Sequence, residues 1–303
     1  MFNRNLFHIS TEVEAALAGG RAVVALESTV IAHGLPRPLN LDMAHRLEQL
    51  VRKCGAVPAT IAVLDGKLIV GLDDAQIERI ADEGREVHKL SRRDLSVAVA
   101  RGWDGATTVA TTMWIANRVG IAVFATGGIG GVHRGTLADV SADLPELART
   151  PMTVVCSGAK SVLDLAATRE WLETYGVTVV GYGCSEMPAF YTRRSGLPID
   201  VRADSAHEVA MLARARNELG LEGAILVTVP VPIEVEVAGD VIESALDEAL
   251  DEAERLKIGG RDVTPFLLAR MSERTGGATL AANVALLENN ARVAAEIARA
   301  LME

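Results

Sequence analysis

Short runs of Val, Ile and Ala alternate along the chain with longer stretches whose apolar residues recur every three or four positions. The first pattern is that of strands buried on both faces, the second that of amphipathic helices. Arg21–Glu27 reads as a buried strand, and Leu41–Lys53 as a helix with Gly55 just beyond its end. Ala59–Leu64 and Lys67–Leu72 flank Asp65-Gly66, the dipeptide favoured in a two-residue type I′ hairpin because both central residues take positive φ. Ile121–Thr126, Met152–Cys156, Val177–Tyr182 and Gly223–Pro230 supply the remaining strands. The last third is helical: Val241–Leu256, then a helix with Thr264 as N-cap and Pro265 at its first position, closed by Gly276-Gly277, then Thr279–Leu301. No linker, repeat or low-complexity tract divides these elements, so residues 1–303 are expected to form a single α/β domain with helices on both faces of the sheet.

Composition narrows the class. Hydrophobic residues make up 49% of the chain and charged residues 23%, enough for a sizeable core. The net charge of −10 and pI near 5.2 argue against a binder of nucleic-acid polymers or anionic membranes. No uninterrupted apolar stretch approaches the ~20 residues of a membrane span, and the N-terminus lacks the pattern of a secretory signal. Cys54, Cys156 and Cys184 form no CxxC pair, which excludes a disulfide scaffold. A soluble, reduced, cytoplasmic protein is the expectation. Only five of the 30 basic residues are lysines, so each stands out.

In open α/β sheets, sites collect beyond the carboxyl ends of strands. In ALESTVIAHGLPRP, residues 25–38, Glu27 ends an apolar run: burial there raises a carboxyl pKa and suits a general acid, while the alternative is a carboxylate that closes its own loop on Ser28 and Thr29. His33 in the same loop is a weaker candidate. ATGGIGGVHRG, residues 125–135, is neither a dinucleotide fingerprint nor a Walker loop. Its glycines allow close backbone approach, for an anion or for tight packing, and His133 and Arg134 at its end tilt the reading towards a ligand. In ADVSADLPEL, Asp139 and Asp143 can converge or hold a hard cation, or Ser141 or Asp143 can cap a helix over 144–149. Lys160 follows a strand and a small-residue turn and opens an apolar stretch. A desolvated lysine there is a nucleophilic amine suited to imine chemistry, with phosphate binding or a pair with Asp164 as alternatives. Lys89, Arg92 and Arg93, followed by DGATTVATT, can form a phosphate pocket or a solvated loop beside a capped helix.

ALESTVIAHGLP, GAVPATIAVLDG, KLSRRDL, GATTVATTM, FATGGIGGVHRG, SADLPELA, VVCSGAKSVLDL and TPFLLARMSERTGG, in this order from about residue 8 to 300, resemble the pseudouridine-5′-phosphate glycosidase family, which includes indigoidine synthase A-like proteins. The resemblance implies a three-layer α/β/α fold with a mixed central sheet, and a homotrimer. It implies reversible conversion of pseudouridine 5′-phosphate and water to uracil and ribose 5-phosphate, with one divalent cation per subunit, typically Mn2+. It puts Lys160 at the imine-forming lysine, Glu27 at the proton donor and Asp139 at the metal ligand. Lys89, Val109, Ser141, Ala142 and Asp143 fall on substrate-contact positions, and His133 and Asn283 on positions near the site. Residues 183–187 and 231–239 match no family role and are candidates for the pocket rim. Two other classes share part of this pattern: an aldolase-type lyase using a Lys160 imine on another sugar phosphate, and a non-catalytic sugar-phosphate or nucleotide binder.

Overall fold

A computed structural model describes residues 4–134, 139–259 and 263–303. Its strands are β1 (Phe7–Ile9), β2 (Val23–Glu27), β3 (Val57–Leu64), β4 (Lys67–Val70), β5 (His88–Leu90), β6 (Gly105–Thr107), β7 (Val123–Ala125), β8 (Val132–His133), β9 (Thr153–Cys156), β10 (Leu163–Asp164), β11 (Thr178–Tyr182), β12 (Val201–Ala203) and β13 (Ile225–Thr228). The main sheet runs β1-β4-β3-β2-β7-β9-β13-β11-β12, with β6 attached to β3 and β5 to β6. From β3 to β12 every pairing is parallel, whereas β4 and β6 lie antiparallel to β3. The sheet is therefore mixed and largely parallel, and helices flank it, giving the expected α/β/α layers.

Every residue of β2, β3, β7, β9 and β13 is buried. That is why their sequences are continuous apolar runs without polar alternation. The Asp65-Gly66 turn forms as expected, with φ of 49° and 72°. Arg79 fixes it by bonding Asp65 at 2.6 Å and Asp104 at 2.7 Å. A side chain on Gly66 would stand 2.8 Å from the Val99 carbonyl, so no other residue fits there without movement.

Two helix boundaries differ from expectation. The helix Val263–Arg274 is already helical before Thr264, so Thr264 and Pro265 lie within its first turn instead of serving as cap and first position. Proline is tolerated there because first-turn N–H groups have no intrahelical acceptor. The short helix at Asp143–Leu147 begins and ends earlier than expected, and Asp143 does not cap it. The last helix, Ala278–Ala300, packs against β2, β7 and β9 and buries residues along most of its length. It thereby brings its polar residues Asn283 and Asn290 to the carboxyl ends of the central strands.

Candidate active site

The strands β2, β7 and β9 are neighbours, and the residues that follow them form one cleft. Glu27 is the last residue of β2 and is 8% exposed. Its Oε1 accepts a hydrogen bond from the hydroxyl of Thr126, the residue after β7. Burial pushes the Glu27 carboxyl above its ordinary value of 4.5, and the negative charge of Asp143 adds to the rise. Lys160, the Thr126 hydroxyl and Lys89 oppose it without cancelling it. The alternative role for Glu27, closing its own loop, falls to its neighbours. Ser28 Oγ donates to the Ile61 carbonyl at 2.7 Å, and Thr29 Oγ1 to the Thr107 carbonyl at 2.8 Å.

Lys160 enters from the turn after β9. The Lys160 N–H donates to the Ile129 carbonyl at 3.1 Å, and the Ile129 N–H to the Gly158 carbonyl at 3.0 Å. These bonds splice the lysine loop to the glycine loop after β7. Asp164 is not its ion-pair partner, because that carboxylate caps the helix Leu165–Thr174 through the Ala167 N–H at 2.9 Å. Lys89, in the middle of β5, reaches the same cleft. Arg92 does not join it in the expected phosphate pocket, since its guanidinium is held 2.8 Å from the fully buried Glu146 carboxylate.

Glu27, Lys89, Lys160 and Asn283 therefore line one cleft, with Phe190, Leu268 and Leu287 as apolar wall and Thr29 and His33 beside them. The other residues singled out from the sequence lie elsewhere. Asp143 links the glycine loop to the helix Val109–Val119, accepting from Ala110 N–H at 2.9 Å and Gly130 N–H at 2.8 Å. Ser141 Oγ accepts the Asp143 N–H at 3.2 Å, Ala142 directly precedes the short helix, and Val109 is buried at the start of its own. Of these four, Ser141 and Asp143 adjoin the glycine loop at Gly130, and none of the four lines the cleft. His133 lies in β8, its N–H donating to the carbonyl of the exposed Asp139 at 2.9 Å. The segment between these two residues, 135–138, is outside the described residues, and with it Gly135 of the glycine run.

Packing demands three of the loop's glycines. A side chain on Gly128 would stand 2.6 Å from the Phe190 ring and 3.0 Å from the Gly158 carbonyl. One on Gly130 would collide with Ser141 and Asp143, and one on Gly131 with Thr168. The Gly130 amide serves the Asp143 carboxylate. Gly127 and Gly128 do face the cleft. Phe190 sits beneath Gly128 with φ of 68°, a left-handed conformation that a bulky residue adopts only when its surroundings impose it.

Sequence reading passed over three residues. Thr126 was simply the end of an apolar run, Phe190 lay in an irregular stretch, and Asn290 was one amide in a long helix. Asn290 is completely buried, and its Nδ2 donates to the Thr126 carbonyl at 2.9 Å and to Ser157 Oγ at 3.1 Å. A buried amide on the apolar face of a helix was the available signal.

Among the described residues no group of three or more His, Cys, Asp and Glu side chains is arranged to hold a metal ion. Asp139 is an exposed carboxylate outside any such group. One carboxylate with water completing the shell is a donor set that a hard, oxygen-seeking divalent cation such as Mg2+ or Mn2+ accepts, unlike zinc or copper, which take several nitrogen or sulfur ligands.

The fold and cleft define a mixed α/β/α protein in which a buried acid and a lysine meet at the carboxyl edge of the sheet. The family model described as indigoidine synthase A like protein matches residues 12–300, and the chain belongs to that family. It is 52% identical over 292 residues to the pseudouridine-5′-phosphate glycosidase of Clostridium botulinum, covering 96% of this chain and 95% of the relative. The glycosidase of that name from Escherichia coli K12 is 51% identical over 296 residues, with 97% and 95% covered. Among solved structures, the prealnumycin C-glycosynthase AlnA in complex with ribulose 5-phosphate superposes with a TM-score of 0.90 at 42% identity, over 98% of this chain and 97% of that one. An indigoidine synthase A-like protein from Thermotoga maritima gives the same TM-score and coverage at 38% identity.

Proposed function

We propose that the protein cleaves, reversibly, the C–C glycosidic bond of pseudouridine 5′-phosphate to give uracil and ribose 5-phosphate. The observation that carries this reading is the meeting of Glu27 and Lys160 in one cleft, in a chain about half identical over nearly its whole length to relatives named for that activity.

A C–C bond offers no leaving heteroatom to protonate, so the two-carboxylate scheme of ordinary glycosidases does not apply. Glu27, whose carboxyl burial pushes upward, gives its proton to the ribose ring oxygen as the C1′–O bond opens, and the uracil ring, releasing its N1 proton to water, takes up the electron demand by conjugation. The Lys160 amine adds at C1′. The ammonium so formed passes a proton to uracil C5, and the nitrogen lone pair then expels the ring: the C1′–C5 pair returns to uracil, which regains its N1 proton from water, and an iminium is left on Lys160. Water hydrolyses the iminium to the open-chain aldehyde of ribose 5-phosphate and restores the amine. Lys89, the other cation of the cleft, and Asn283 bind substrate, with the phosphate the natural partner of Lys89. On the family pattern, Val109, Ser141, Ala142 and Asp143 border the substrate from the glycine-loop side, and His133 lies near it.

A divalent cation, Mn2+ by family likeness and one per subunit, would be held through Asp139 and would supply charge stabilisation at an oxygen of the base or of water. The protein acts as a homotrimer in the cytoplasm on a small nucleoside phosphate. Among the described residues no helix is long and apolar enough to cross a membrane. The likeness to a C-glycosynthase supports turnover in the bond-forming direction as well.

The test is incubation with Mn2+, uracil and ribose 5-phosphate, read by formation of pseudouridine 5′-phosphate. Product that disappears in Lys160→Ala and Glu27→Gln variants is expected. No product from the wild type would favour an aldolase-type lyase, and binding of ribose 5-phosphate without turnover of any substrate would leave a non-catalytic binder. Chelation should abolish turnover and Mn2+ restore it, with Asp139→Asn raising the half-saturating Mn2+ concentration at least about tenfold.

A further inference from the structure

Glu27 is held from outside its own strand. Its Oε1 receives the Thr126 hydroxyl, and Thr126 is itself fixed at both ends of its backbone. The Thr126 N–H donates to the Val155 carbonyl at 3.0 Å, and the Thr126 carbonyl accepts Asn290 Nδ2 at 2.9 Å. The same Asn290 amide reaches the Gly127 carbonyl at 3.3 Å and Ser157 Oγ at 3.1 Å, so it ties the loop after β7 to the loop that leads to Lys160. Both residues are shut from water, Thr126 at 3% exposure and Asn290 at 0%. Thr126 Oγ1 donates to Glu27 Oε1, and when the carboxyl is protonated with Oε1 as the acceptor, its proton sits on Oε2.

We infer that Thr126, braced by Asn290, is a positioning residue for the acid of the reaction, fixing the Glu27 side chain and directing its transferable proton to Oε2. The inference rests on the proposed role of Glu27 as that acid. The other titratable groups around Glu27 are Lys160 from the loop after β9, Lys89 from β5, Asp143 from the short helix and His33 from the segment after β2. Substituting Lys160, Lys89 or Asp143 alters a charge that acts on Glu27. Thr126 alone can be changed to an isosteric side chain that removes only a hydrogen bond. Because that bond is donated to the carboxyl, it favours the ionised form, and its loss raises the pH at which Glu27 ionises.

The test compares Thr126→Val with Thr126→Ser. Glu27 ionisation is followed directly as the carboxyl band in the infrared difference between each protein and its Glu27→Gln version, and kcat/KM for pseudouridine 5′-phosphate is measured over the same pH range. For Thr126→Val the band should titrate about one pH unit higher, with the alkaline limb of kcat/KM following it and kcat at least about tenfold down. Thr126→Ser should titrate as wild type and keep kcat within about threefold. A Thr126→Val band that titrates where the wild type does, or a serine variant as impaired as the valine one, overturns the inference. If the band moves while the kinetic limb stays, the hydrogen-bond link holds and the assignment of Glu27 as the acid is what fails. Thr126→Ala provides the same comparison if the valine variant does not fold.

Discussion

Lys160 reaches the same cleft as Glu27 from two strands away in the sheet, with β7 between them. The first residue beyond that middle strand, Thr126, bonds Glu27, and the loop it begins bonds the Lys160 backbone through Ile129. Three consecutive parallel strands thus set the spacing of acid and amine by register.

Glu27→Gln should separate activity from stability. Loss of the transferable proton lowers kcat about 10²- to 10⁴-fold. The raised carboxyl means that the folded protein keeps a proton that the unfolded chain has released above about pH 4.5, so wild-type stability falls as pH climbs from there through the folded value. Glutamine removes that loss. Thermal melts across pH should show the variant gaining on wild type towards alkaline pH, and the same difference at all pH values would count against it.

Lys160→Arg keeps a cation and forms no imine. Wild type with ribose 5-phosphate and borohydride should gain the mass of one reduced sugar-phosphate adduct on Lys160 by peptide mass spectrometry. The arginine variant should gain none and lose at least about 10³-fold in turnover.

Asp143→Asn has two expected effects. An asparagine in place of a carboxylate that accepts two amides turns an N–H towards one of them, which costs about 1–3 kcal/mol in denaturant unfolding. Removing the negative charge also lets the Glu27 carboxyl fall, so the alkaline limb of kcat/KM moves to lower pH. A limb displaced to higher pH would contradict the electrostatic picture.

Gly128→Ala should destabilise the fold by about 1–3 kcal/mol, since its methyl meets the Phe190 ring and a backbone carbonyl. Phe190→Leu in the same chain should recover part of the loss if the clash with the ring dominates. Guanidinium unfolding of the single and double variants measures both.

The parts legible in the sequence are those governed by local rules. Continuous apolar runs located β2, β7, β9, β11 and β13, and Asp65-Gly66 announced its hairpin because both residues need positive φ. Glu27 and Lys160 stood out because charge at the end of a buried run is costly. Strands of two or three residues such as β5, β6, β8 and β10 are too short for a period to show. Asp143 marks the limit of such rules. Spacing left it open between convergence with Asp139, a hard cation and a helix cap offered equally by Ser141, but its carboxylate is engaged by Ala110 and Gly130, 33 and 13 residues away. The glycine loop was ambiguous for the same reason, since only the positions of Phe190, Ser141 and Thr168 reveal what crowds it.

The splice between Ile129 and Lys160 carries a consequence for turnover. The glycine loop beside the cleft and the loop that carries Lys160 are joined backbone to backbone. A displacement of the glycine loop at Ile129 must therefore drag the lysine backbone along or sever its tether. In the proposed reaction, a variant that loosens the glycine loop is thus expected to blur the aim of the amine as well.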